Sequence, residues 1–461
     1  MRSLLVVCAA LSLARAAGAA TIDGHEWPPD PSRYAAPGTE VAPGLKVGDV
    51  LDASNAGQAK DLLPPEILEH YHKGDYHNRI DSWPEGLVHR DVSNDRATKE
   101  NVGKYVLDPD SGAILEKTSG KVPESIYGMP FPEIAADDPQ GGLKALWNQY
   151  HNYWNNGSYF FQTSIVWVGR TGVERSSVQD VWWQYYDNQN PRYRVPNPQG
   201  FAWQSLTDAT SPADLQGTAS LTWRFRDPKK RDSVWAFVPA LRRIRAVSPA
   251  NRSDGVLGSD LSQDDGNFLD MKPEDFVWKT IGLREGLRIA EPDSIHGHGG
   301  PLKVVEGGGI RDTWPKATPA AGFQDKSWKG VAWAPAGGVL VKRKMWVVEG
   351  VPRDRYYLYG KIQAWIDAES WIGAWNRKFS WKDELLNDYE VAAYLHHPVE
   401  KDGEIEWIWS AQHAWQAAEV IKADRATLAG FRLSPDHAFD RRVTHNIDQL
   451  FDYGTLSRFG K

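Results

Sequence analysis

Few residues of this chain stand at spacings that support chemistry. His70, His72 and His77 form one histidine group and His296-Gly297-His298 another, yet neither has a carboxylate or cysteine at a recognised zinc-ligand spacing. A structural or surface role is the expectation for both. Asp260, Asp264, Asp265 and Asp270 suggest calcium, but a calcium loop begun at Asp260 needs glycine where Asp265 stands. That run is expected to be a solvated loop. No serine lies in a G-x-S-x-G elbow, and the H-E-x-x-H, P-loop and dinucleotide G-x-G-x-x-G patterns are missing. No catalytic residue, metal ligand or cofactor is nominated. The pattern that remains is Arg242, Arg243 and Arg245, after an aromatic strand that ends at Pro239. Arg243 and Arg245 share one face of an extended segment. Their guanidiniums are fitted to dock a carboxylate or phosphate, unless the chain's own acids neutralise them.

The elements that position these residues follow from periodicity. Leu143, Leu146, Trp147, Tyr150 and Trp154 form one stripe of an amphipathic helix, with Asn155-Asn156-Gly157 as its expected end. After Gly157 the period becomes twofold. In Thr218 to Arg226, Ala219, Leu221, Trp223 and Phe225 alternate with polar residues, which predicts a strand with one apolar and one wet face. Further strands are predicted at 158–169, 178–187, 233–238, 339–349, 355–366, 370–381, 388–395, 404–412 and 417–423. About ten strands in succession with few helical windows predict a mainly β, α+β fold built on one large curved antiparallel sheet or barrel. Residues 21–140 are rich in Pro and Gly and are expected to wrap the 141–461 sheet domain in extended pieces, with short helices near 54–62 and 64–72.

Residues 1–20 read as a cleavable export signal: Arg2, an apolar run from Leu4 to Ala14, then small residues at Ala16-Ala17-Gly18-Ala19-Ala20. The single cysteine, Cys8, lies within that signal, so no disulfide framework is expected in the mature chain. The formal charge of −7 becomes two units more negative without Arg2 and Arg15, which argues against nucleic acid as a partner. No later run is long and apolar enough to predict a spanning helix. Twenty-two tryptophans are the compositional anomaly. They pack a core, line an apolar cavity on the concave face of the sheet, or stack on sugars; Trp371, Trp375 and Trp381 would share one strand face if no bulge intervenes.

Four segments, in order, resemble the domain of unknown function 1329 family. They are Tyr127-Gly128-Met129-Pro130-Phe131-Pro132 with Gly141-Gly142-Leu143-Lys144-Ala145-Leu146-Trp147-Asn148; Trp235 to Arg245; Asp275-Phe276-Val277-Trp278-Lys279; and Ala364-Trp365-Ile366-Asp367-Ala368-Glu369-Ser370-Trp371. The sequence departs from the family's pattern at Ala246 and at its C-terminal end. The resemblance implies a fold like the periplasmic lipoprotein carriers LolA and LolB, an incomplete antiparallel barrel with helices covering its mouth and an apolar cavity. It also implies a periplasmic location in a Gram-negative cell. The resulting expectation is a carrier or chaperone for a hydrophobic ligand, lipid or lipoprotein acyl chain, working with an envelope transporter or outer-membrane protein. Its expected ligand-binding residues are Leu221, Trp223, Phe225, Trp235, Phe237, Trp147 and Trp154, with Arg242, Arg243 and Arg245 for docking or a headgroup. An exported carbohydrate-binding protein or glycosidase, and a structural component of an envelope complex, are the alternatives.

Overall fold

The computed structural model describes residues 20–458 except 23–24, 28, 89, 91, 153–157, 190, 192–193, 267, 297–301, 306–308, 313–319, 395–398, 402–403, 407–411, 431–432, 434–438 and 445–447. The export signal through Ala19, Trp154 and His298 lie outside the described residues. From Ser158 the twofold period becomes sheet. A meander of β1 (Ser158–Gly169), β2 (Gly172–Tyr185), β3 (Phe201–Ser211), β4 (Ala219–Phe225), β5 (Ser233–Val238) and β6 (Arg243–Val247) comes first. Later strands include β7 (Phe276–Ala290), β8 (Val339–Pro352), β9 (Lys361–Asp367), β10 (Gly373–Phe379), β11 (Leu385–Tyr394), β12 (Gln412–Val420) and β13 (Arg425–Gly430). The seam joins the two series, where Ile165 of β1 pairs with Ala429 of β13. Neighbours in the order β6-β5-β4-β3-β2-β1-β13-β12-β11-β10-β9-β8-β7 pair antiparallel throughout. The sheet curls strongly, so that Ala290 at the end of β7 bridges Ala393 of β11.

Where strands were not expected, the period is broken for a physical reason. β7 carries Gly282 at φ +134°, and its register against β8 slips between Thr280 and Gly282. A bulge of this kind shifts the alternation to the other face and erases the pattern. In β3, Gln204 and Ser205 are buried beside Trp203 and Leu206, so polar and apolar residues occupy both faces. Near the C-terminus a strand begins at Glu404 as expected (Glu404–Glu406), with 407–411 outside the described residues; the one expected at 417–423 starts earlier, as β12, and a turn at 421–424 leads to β13, which was not expected. Trp371, Trp375 and Trp381 do not share a strand: Trp371 lies in a turn at φ +58°, Trp375 is in β10, and Trp381 is beyond the strand's end.

Both faces of the sheet are covered. On one, α3 (Gly141–Tyr150) lies across β7 and β8 and joins a core of Leu143, Leu146, Trp346, Val348, Met129 and Phe131. Close approach needs the two glycines at its start, because a Cβ on Gly141 would sit 2.5 Å from the Trp346 ring and one on Gly142 2.8 Å from Val348. Asn148, fully buried, takes the amide hydrogen of Phe131 at 2.9 Å and donates to its carbonyl at 2.6 Å, so the Pro-Phe-Pro turn is tied to the helix. The helix ends at Tyr150, short of Trp154. On the other face, α1 (Pro65–Lys73) and the 320–334 segment pack Ile67, Tyr71 and Trp333 against Met345, Trp375 and Trp415. A further helix, α2 (Val92–Glu100), has no strong apolar stripe and was not expected from the pattern. Trp333, Trp346, Trp375 and Trp415 are fully buried, so much of the tryptophan excess is core. No helix among the described residues is long and apolar enough to cross a bilayer.

Candidate ligand pocket

The C-terminal end of α3 reaches the sheet where β2 and β4 finish and β3 begins, and a pocket of about 80 Å³ remains between them. Its apolar wall is Trp147 and Tyr150 from α3, Tyr185 from β2, Ala202 and Trp203 from β3 and Phe225 from β4. The Pro/Gly-rich segment closes it with Ala113, Ile114, Val122, Pro123 and Ile126. Hydrogen bonds hold these walls in place. Trp147 Nε1 donates to the Gly112 carbonyl at 2.8 Å, the Tyr150 hydroxyl donates to the Met271 carbonyl, and the Ile126 amide donates to Asp187 at 2.9 Å.

Most of the remaining lining is polar or charged: His151, Asp187, Asn188, Arg224, Arg226, Lys272 and Glu274. Arg224 and Arg226 come from the strand predicted to have a wet face, but Thr222 and Arg224 are buried. The reason is a buried ion network: Arg224 donates to Asp232 at 2.7 Å and to Asp270 at 3.2 Å, while Arg252 donates to Asp264 at 2.6 Å. The acidic loop is therefore not solvated. Asp264 also accepts from the Tyr357 hydroxyl at 2.7 Å, and Asp265 is ion-paired with buried Lys378. Burial pushes the Asp270 carboxyl up to about 7, against the pull of Arg224 and Arg252. Arg224 also lies over the Trp203 ring, 4.6 Å from its centre. Arg226 Nη1 donates to Asp187 at 2.5 Å. Lys272 donates to the Lys230 carbonyl at 2.8 Å, and burial lowers its pKa. Burial pushes Glu274 up to about 7. Among the described residues no group of three or more His, Cys, Asp or Glu could hold a metal ion.

Of the residues singled out from the sequence, Trp147 and Phe225 line this pocket. Leu221 and Phe237 lie elsewhere, in a separate cluster with Leu206, Phe451 and Leu456, under the C-terminal 448–458 segment. Trp223 Nε1 donates to the Phe451 carbonyl at 2.9 Å, and Trp235 meets the Tyr453 ring edge-on at 5.7 Å. Arg242, Arg243 and Arg245 are exposed at the edge strand β6, away from the pocket, and none forms an ion pair with a described residue. Ala202, Trp203, His151, Arg226 and Glu274 escaped the sequence reading. Only the Phe201-Ala202-Trp203 alternation pointed to any of them, and Gln204-Ser205 interrupts it. The first histidine group is split up: His70 is buried between Asp75 and Glu419, whereas His77 stacks on Trp328 at 4.0 Å. His296 bonds to Asp81 at 3.1 Å.

Residues 50–421 match the family model described as Protein of unknown function (DUF1329). The chain belongs to that family. The DUF1329 match contains every pocket residue, from Ala113 to Glu274, and stops before the 448–458 segment that covers Leu221. Among solved structures, the chain is similar to a domain from Vibrio parahaemolyticus named for outer membrane lipoprotein sorting, with 13% identity and a TM-score of 0.43, over 68% of this chain and 97% of that one. It is similar to a DUF1329 family protein from Desulfovibrio piger at 14% identity and a TM-score of 0.43, over 69% of this chain and 98% of that one. A LolA superfamily protein from Nitrosomonas europaea matches at 12% identity and a TM-score of 0.37, over 70% and 99%. No curated protein matches the sequence.

Proposed function

We propose that this protein is a periplasmic carrier or chaperone, exported by its N-terminal signal, that holds part of a hydrophobic molecule in the pocket beneath α3. The observation that carries this reading is an apolar enclosure, with Trp147, Trp203, Phe225 and Ile126 around a space of about 80 Å³. One water needs about 10 to 15 Å³ in such a measure, so the space takes about six waters or a similar number of methylenes. At about 0.8 kcal/mol per buried CH₂ that is roughly 5 kcal/mol before association costs. An enclosed segment of that size binds weakly by itself, so a longer guest extends out of the mouth or gains polar contacts.

Aromatic rings that close around a cavity suit an apolar guest better than a sugar, which stacks on an open groove. Arg242, Arg243 and Arg245, exposed and without an ion pair among the described residues, supply a docking edge for an envelope partner, a transporter or outer-membrane protein. Solvent extraction of protein purified from its own cell envelope, followed by mass spectrometry, tests the reading. The expected result is an apolar molecule in near-stoichiometric amount from the wild type and little from Ala202→Phe, whose ring fills the pocket. Equal recovery from both, or none from either, contradicts it.

A further inference from the structure

Three residues that line the pocket each carry a buried polar atom with no hydrogen-bond partner among the described residues: His151 Nε2, Arg226 Nη2 and Glu274 Oε2. His151 is 5% exposed and Glu274 8%. Leaving a buried donor or acceptor unmatched is costly, on the order of 1 to 3 kcal/mol each, so their gathering at one apolar pocket points to a ligand with a polar group. The type of each atom constrains that group. His151 Nδ1 lies 2.8 Å from the Trp147 carbonyl, which only accepts, so Nδ1 carries the proton. Burial lowers the pKa of His151 and keeps the ring neutral, which leaves Nε2 as a bare acceptor. Arg226 Nη2 is the complementary donor, since Nη1 is engaged by Asp187.

Charge balance then separates neutral from ionic heads. Arg224 has Asp232 and Asp270, and Arg226 has Asp187. Lys272 has Glu274 as its strongest favourable charge. An incoming carboxylate would meet cations that already have acidic partners, and it would offer nothing to the His151 lone pair. A hydroxyl both donates and accepts.

We infer that the pocket selects an uncharged apolar molecule bearing a hydroxyl, which donates to His151 Nε2 and accepts from Arg226 Nη2. The inference rests on the pocket being the ligand site proposed above. Isothermal titration of the wild-type protein with 1-octanol, heptyl methyl ether and octanoate tests it, because the alcohol and ether have equal heavy-atom counts and differ in the donor. The expected result is that 1-octanol binds about tenfold more tightly than either of the others, the worth of one buried hydrogen bond. In His151→Phe the advantage over the ether disappears while ether affinity stays within about twofold. Equal affinity for alcohol and ether overturns the hydroxyl assignment, with water alone satisfying the polar atoms, and leaves the carrier reading standing. Preference for octanoate overturns the choice of a neutral head. Absence of binding by all three removes the carrier reading and this inference together. The wild-type series decides the matter even if the variant fails to fold.

Discussion

Replacing His70 with Gln should flatten the alkaline side of the stability profile. His70 sits at the end of α1 with Nε2 2.7 Å from Glu419 of β12 and Nδ1 3.2 Å from Asp75, and its ring stacks on Tyr76 at 4.6 Å. Arg170, in the β1–β2 turn, donates to the same Asp75 at 2.5 Å. One imidazole thus ties α1 to β12 directly and, through Asp75 and Arg170, to the β1–β2 turn. Burial alone would lower its pKa, but hydrogen bonds and charges from Asp75 and Glu419 outweigh that and raise it from 6.5 to about 10. Between those values the folded protein keeps a proton that the unfolded chain releases. The stabilisation is therefore fully present below pH 6.5 and is lost as pH rises toward 10. At about 1.36 kcal/mol per pKa unit the loss is on the order of a few kcal/mol, given strong coupling to two buried carboxylates. His70→Gln leaves buried Glu419 without its cationic partner and Asp75 with Arg170 alone, so it should cost about 3 to 5 kcal/mol at pH 6. Urea unfolding of both proteins at pH 6 and pH 9.5 reads the difference. That difference should shrink by a few kcal/mol at the higher pH, and a difference that stays constant across this range refutes the account of His70 as a protonated tie.

Two further substitutions address the packing. Phe451→Ala removes a fully enclosed ring from the cluster of Leu206, Leu221 and Phe237, and should lower the unfolding free energy by about 3 to 5 kcal/mol in urea titration; a change below about 1 kcal/mol would show that the C-terminal segment is not part of the core. Asp232→Ala leaves Arg224 and Arg252 short of a shared carboxylate in a buried site, and should cost about 3 to 5 kcal/mol, more than the loss of any exposed pair such as Arg175–Asp214. Equal effects of Asp232→Ala and Asp214→Ala on the urea midpoint would contradict that ranking.

Much of the sheet was legible because its strands keep strict alternation: Ser158–Gly169 and Ser233–Val238 emerge with the bounds that periodicity predicts. The strand at Phe276–Ala290 was hidden by the Gly282 bulge, and Phe201–Ser211 by polar residues buried on both faces. The pocket was less visible. Trp147 and Phe225 carried a signal as members of apolar stripes, but Leu221 and Phe237 carried the same signal and are covered by residues more than 200 positions later in the chain. Periodicity reports that a face is apolar and says nothing of what lies over it. Arg224 looked solvent-facing because its carboxylate partners, Asp232 and Asp270, are set by tertiary contact. His151 and Glu274 are single polar residues whose unmatched atoms exist only once the surrounding walls are in place.

The space beneath α3 should act as a binding site for an apolar guest. Isothermal titration of 1-octanol into the wild type and into Ala202→Phe tests it most directly, because the added ring occupies the pocket from a half-buried position on β3. Saturable binding at one site is expected in the wild type and a loss of at least tenfold in the variant, with the urea midpoint unchanged. Equal affinity in the two proteins, or no saturable binding in the wild type, would contradict it.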